Sequence, residues 1–128
     1  MLMNAPAILY EILQALKDFY NKGERHIIYI NKLPLTEEDK HVILDVLRDG
    51  QVKIFLKSAS QKVEWRETGI SGVWIGVFFD RDEKPILETI EITDFPMLAM
   101  SQREDIEEAI KTLEDRIKSV IPSANLDQ

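Results

Sequence analysis

The sequence predicts an α+β fold: a two-layer sandwich in which three helices accompany a mostly antiparallel sheet of about five strands, in the order α-β-α-β-β-β-β-α. Three observations predict it. Apolar residues recur at helical spacing in three stretches, near 5–20, 36–48 and 101–122. Between the second and third stretch the period changes to alternation in four successive segments with no helix between them, which favours hairpins over parallel crossovers. The chain has 128 residues, 45% hydrophobic and 30% charged, which suits one domain with a real core. Area scaling gives about 7,000 Å² exposed when folded against about 21,000 Å² unfolded. Residues 1–122 are expected to form this single domain, closed by Pro122, with 123–128 a frayed tail.

Each element has a local reason. Ile8, Ile12, Ala15 and Phe19, flanked by Leu9, Leu13, Leu16 and Tyr20, make the first amphipathic helix, and Asn21-Lys22-Gly23 stops it because glycine reaches the left-handed conformation cheaply. His26-Ile27-Ile28-Tyr29-Ile30 is β-branched and aromatic, hence a strand. Thr36 can accept from the free amides of the next helix, with Glu37, Glu38 and Asp39 on the positive end of its dipole. That helix is expected to bury Val42, Ile43, Val46 and Leu47, to run to about Arg48 and to stop at Gly50.

Val52, Ile54 and Leu56 alternate with Lys53, Phe55 and Lys57, and after a turn at 58–61 Val63 and Trp65 alternate with charged neighbours, so two strands form a hairpin. Val73-Trp74-Ile75-Gly76-Val77-Phe78-Phe79 is apolar on both faces and reads as a central strand. A charged turn at 80–85 leads to a last strand carrying Ile86, Ile90 and Ile92. Ser101 and Glu104 have capping-box spacing, and behind them Ile106, Ile110, Leu113, Ile117 and Val120 fall on one stripe of the third helix.

Composition then excludes whole classes of function. With no cysteine, disulfides, iron–sulfur clusters and thiolate metal sites are ruled out. Sixteen basic against 23 acidic residues give a net charge of −7, the wrong sign for a nucleic-acid footprint. No apolar run approaches the roughly 20 residues of a membrane span and no signal pattern opens the chain, so a soluble cytoplasmic domain is expected. Of the two histidines, His41 lies on an early helical turn among charges and His26 heads a strand; both read as surface residues. No nucleophile elbow, Walker loop or dinucleotide fingerprint is present. Gly69-Ile70-Ser71-Gly72 precedes a strand, which makes it a turn and not a phosphate cradle. Asp80, Asp82 and Glu83 lack the calcium-loop pattern. No catalytic, cofactor or metal residue is therefore assigned.

Two carboxylates stand out. Glu67 and Glu91 sit in or beside apolar strands, where a carboxylate must be exposed, paired or hydrogen-bonded. Trp74 and Phe78 point opposite to Val73, Ile75, Val77 and Phe79, so one set meets the helices and the other the far side of the sheet. With three helices available, that far side is expected to be partly bare, the mark of a partner interface.

An ordered set of short blocks resembles a known family. Leu33-Pro34-Leu35-Thr36 with Asp39, then Leu47 and Gly50-Gln51-Val52; Glu67-Thr68, Ile70 and Gly72-Val73-Trp74; and Ile90-Glu91-Ile92 before Pro96 are similar to the HupH/HyaF-type hydrogenase expression proteins, over roughly residues 5–110. The resemblance implies a non-catalytic, chaperone-like role in [NiFe] hydrogenase maturation, with a protein client, the hydrogenase small subunit or its precursor. By pattern, partner binding is expected on Glu67, Thr68, Gly72, Trp74 and Glu91: Thr68 and Gly72 flank a connection whose backbone could meet an extended peptide, Trp74 is a large anchor, and the glutamates could pair with basic residues. Two departures are visible: Arg48 stands where the family has a glycine, and Gln51 where it has an acid. Members are also commonly longer than this chain, which raises self-association, a homodimer, as an alternative role. A small-molecule binder or enzyme using His26 or Glu67 as base is the remaining alternative.

Overall fold

In the computed structural model, which describes residues 4–121, the elements follow the expected order: α1 (Ala5–Lys22), β1 (His26–Tyr29), α2 (Glu37–Leu47), β2 (Asp49–Lys57), β3 (Lys62–Thr68), β4 (Val73–Phe79), β5 (Pro85–Ile92) and α3 (Arg103–Val120). Pro122 and the 123–128 tail lie outside the described residues. All strand pairs are antiparallel, and the order across the sheet is β1-β5-β4-β3-β2. Strands β2 to β5 form a meander, and α2 carries the chain from β1 at one edge to β2 at the other. No helix among the described residues is long and apolar enough to cross a membrane.

Alternation sorts the strand residues into two cores. On one face, Ile28, Val73, Ile90 and Ile92 pack under Ala5, Ile8, Ile12 and Ala15 of α1 and Ile43 and Leu47 of α2. On the other, Val63, Trp65 and Trp74 form a second cluster with Ile54, Leu56, Phe78 and Ala99 against it. The far face is thus not covered by a helix. The segment after β5 folds back over its centre instead: Phe95 meets the Trp74 ring edge to face, with centroids 6.1 Å apart, and a 3-10 turn at Met97–Ala99 lies beyond it. The centre of that face is therefore covered by a short strap, while Ile27 and Tyr29 at its β1 rim stay exposed.

The start of α2 forms as expected. Thr36 Oγ1 accepts from the Asp39 amide at 3.0 Å and Asp39 Oδ2 accepts from the Thr36 amide at 3.1 Å, a reciprocal capping box. Three expectations are corrected. Helix α2 ends at Leu47, and the turn is made by Arg48 at φ +61°, not by Gly50. Gly50 already belongs to β2, where a side chain would lie 2.4 Å from the Glu67 and Thr68 carbonyl oxygens; its role is close strand approach. Val46 faces out while Ile43 and Leu47 face in, because the helix touches the body along a narrower strip than its apolar residues suggest. Finally, α3 is capped by Gln102, whose side chain makes no cap bond but donates to the Met97 and Met100 carbonyls, so the Ser101–Glu104 box does not form.

Candidate functional site

Register places the singled-out residues on the far face. Glu67, Trp74 and Glu91 are cross-strand neighbours on β3, β4 and β5, with Ile27 of β1 next in the row. The row beside it is Trp65, Gly76, Thr89 and Tyr29. These two rows hold the site.

Glu91 is only 7% exposed. Its Oε2 accepts from Trp65 Nε1 and from Thr89 Oγ1, each at 2.8 Å. Oε1 takes no hydrogen bond, whereas every fully buried side-chain polar atom among the described residues has a partner; Oε1 is therefore not fully buried. The convergence depends on Gly76, where a Cβ would stand 2.5 Å from Thr89 Oγ1, 2.8 Å from Glu91 Oε2 and 3.0 Å from Trp65 Cδ1. A glycine inside an apolar strand signals such a close approach, but nothing in the sequence says what approaches.

Glu91 and Thr89 open into a groove of about 580 Å³, walled by Ile27 and Tyr29 on one side and by Met97, Leu98 and Met100 of the strap on the other. That volume is in the range of ligand sites, and the lining is mostly apolar around a few polar groups. The walls were not legible in the sequence because the strap carries no periodic pattern.

Three of the other expected site residues converge on the β3–β4 turn. Glu67 Oε2 accepts from the Gly72 amide at 3.1 Å. Thr68 Oγ1 donates to the Val73 carbonyl at 2.9 Å and accepts from the Ile70 amide at 3.2 Å. Gly72 holds φ +87°, which favours glycine, and its carbonyl accepts from the Thr93 amide at 2.9 Å. Trp74 is 2% exposed, with Nε1 donating to the Thr93 carbonyl at 3.1 Å. Thr93 thus joins the turn, Trp74 and the start of the strap, and Arg25 reaches its hydroxyl from the far end of α1 at 2.9 Å. Next to it, burial raises Asp94, but hydrogen bonds from Thr93 and the Phe95 amide and the nearby Arg25 guanidinium outweigh this and hold its carboxyl below the usual range.

The histidines stand elsewhere. His26 Nε2 lies 2.7 Å from Glu11 Oε2 on the surface, and His41 borders a shallow polar hollow with Arg48 and Arg66. Among the described residues no group of three His, Cys, Asp or Glu is placed to hold a metal ion.

Comparison with known proteins identifies the same family. A family model described as HupH hydrogenase expression protein, C-terminal conserved region, matches residues 2–120. The chain is 30% identical over 118 residues to the hydrogenase expression/formation protein HupH of Rhodobacter capsulatus, covering 92% of this chain and 42% of that one. It is 28% identical over 116 residues to the corresponding HupQ of Azotobacter chroococcum mcd 1, covering 89% and 40%. The chain therefore spans about two-fifths of the length of these curated relatives. Among solved structures, the hydrogenase expression protein HupH from Thiobacillus denitrificans ATCC 25259 superposes with a TM-score of 0.83 at 28% identity, over 91% of this chain and 96% of that one.

Proposed function

The chain belongs to the family of the HupH hydrogenase expression protein C-terminal region, and from that premise we propose that it serves hydrogenase expression and formation as a non-catalytic, cytoplasmic accessory protein that binds a hydrogenase subunit, the small subunit or its precursor, during assembly. The observation that carries this reading is the groove over Glu91. One carboxylate oxygen is held by Trp65 and Thr89 and the other is left open at the floor of a methionine-rich wall. A basic side chain of the client can end on that oxygen in a charge-assisted bond. Its apolar neighbours can pack on Leu98 and on Met97 and Met100, whose flexible thioethers adapt to irregular surfaces. In this reading Glu91 touches the client, while Glu67, Thr68, Gly72 and Trp74 keep the turn and strap in place around it.

The test is an anaerobic pull-down from the native host, followed by binding of the purified small-subunit precursor to the purified chain. The precursor is expected to be retained, and Glu91→Gln, which keeps shape and removes charge, is expected to weaken binding about tenfold with unchanged near-ultraviolet circular dichroism. Absence of any hydrogenase subunit, or full binding by both Glu91→Gln and Met100→Lys, would overturn the reading.

A further inference from the structure

Helix α3 is 18 residues long and not one of them is buried. Its apolar residues are nevertheless ordered: Ile106, Ile110, Leu113, Ile117 and Val120 are spaced four, three, four and three apart. That is the 3.5-residue repeat of a coiled-coil seam, not the wider stripe of a helix laid on a sheet. Ile106, Ile110, Leu113 and Val120 are 50%, 57%, 60% and 79% exposed. A helix of this length in water owes most of its stability to packing of its apolar face, and among the described residues only Ile117 of the stripe is even half-buried.

We infer that α3 is a self-association helix whose seam packs against α3 of a second copy of this chain, side by side and parallel, about a two-fold axis. The side chains choose this occupant and this orientation. Ile110 and Ile117 hold one seam position and Leu113 the centre of the other, the combination that favours two parallel strands. Parallel pairing sets Gln102 of one copy beside Glu107 of the other, and Ala109 beside Glu114, and its like-charge contact is confined to Arg103 against Arg103 at the first residue of the helix. Antiparallel pairing would set Glu107 against Glu114 of the second copy twice, which is repulsive. The parallel arrangement also brings the two bodies together at the base of α3, where Leu98 and Met100 are 57% and 41% exposed. The helical seam alone buries on the order of 1,000 Å² in total, the lower limit of a specific interface, and the base extends it toward the standard size. Such a contact is the same patch on both copies, as two-fold symmetry requires.

The full chain in sedimentation velocity over a wide concentration range is expected to show a reversible monomer–dimer equilibrium. Leu113→Glu is expected to raise the dimer dissociation constant at least about 100-fold, while the near-ultraviolet signal of Trp65 and Trp74 stays unchanged. Because the chain has no cysteine, a single replacement reports register: Ile106→Cys is expected to form a disulfide-linked dimer on mild oxidation, since parallel pairing sets each position 106 against itself. A monomeric mass at all concentrations overturns the inference. So does a dimer that tolerates Leu113→Glu, or one in which Ile106→Cys fails to cross-link; the last result would direct α3 to another surface of the second copy, such as the apolar groove of about 460 Å³ between α1 and α2. Leu98 and Met100 border both this surface and the Glu91 groove, so the two readings are separated by residues that lie in one surface alone: Leu113→Glu tests the dimer and Glu91→Gln tests the groove.

Discussion

Asp39 carries two helix starts on one carboxylate. It is fully buried; Oδ2 closes the capping box of α2, and Oδ1 accepts from the Asn4 and Ala5 amides at the start of α1, at 3.2 and 3.1 Å. A negative group at two positive dipole ends, accepting three amide hydrogens, is favourable even without solvent. Asp39→Asn replaces one accepting oxygen by a donor that faces donors, and about 2–3 kcal/mol of stability is expected to be lost. Thr36→Ala, which removes one cap, is expected to cost about 1 kcal/mol. Urea midpoints at unchanged slope would measure both, and equal losses would show that the α1 contact contributes nothing. The Thr36 cap was legible because capping is local. The bond to α1 was not, since it joins residues more than thirty apart and only the packed fold brings them together. Glu91 was legible as an acid in an apolar strand for a similar local reason, whereas its partners Trp65 and Thr89 depend on strand register.

At the scale of elements, the chain is least relaxed where α2 passes into β2. Arg48 holds φ +61° and ψ −177°, a region in which residues other than glycine are strained by about 1–3 kcal/mol. Two residues later Gly50 is pressed against the carbonyls of β3, and the Gly69 amide closes the corner on the Arg48 carbonyl at 3.1 Å. The backbone of this corner is fixed by the pairing of β2 with β3, so Arg48 takes the conformation the corner demands. Arg48→Gly is expected to stabilise the fold by about 1 kcal/mol, the relief of strain exceeding the added entropy of the unfolded chain; a lower thermal midpoint for the variant would refute this. Helix and strand periods were readable in the sequence because each is set by a repeating pattern. The stop of α2 was misplaced at Gly50 because a glycine needed for close approach looks, in one dimension, like a glycine needed for a turn. The strap at 93–102 escaped for a related reason: its contacts are single residues, Phe95 on Trp74 and Ala99 against the second cluster, without period.

On the scale of the whole molecule, 9501 Å² of surface is exposed, well above the roughly 7,000 Å² that a compact chain of this mass should show. Helix α3, with no buried residue, is one source of that excess. The sequence showed the α3 stripe but not that it would go uncovered, because an apolar stripe does not say which surface meets it. The sheet, its two cores and the groove are complete without α3, apart from Asp105 at the groove's edge. Removing residues 103–128 is therefore expected to leave the body folded, with the Trp65 and Trp74 near-ultraviolet signal intact and the groove over Glu91 preserved. For a body of this size one kcal/mol moves the thermal midpoint by about 4–8 °C. The truncated chain should fall within that margin of the full chain at low concentration, where the full chain is monomeric. At high concentration the two should diverge, since dimerisation raises the midpoint of the full chain by mass action and cannot act on the truncated one. A truncated chain that loses its sheet signal would show that α3 supports its own body in solution. A concentration-independent midpoint for the full chain would leave the α3 seam without its second copy, and the stripe would then need another surface to cover it.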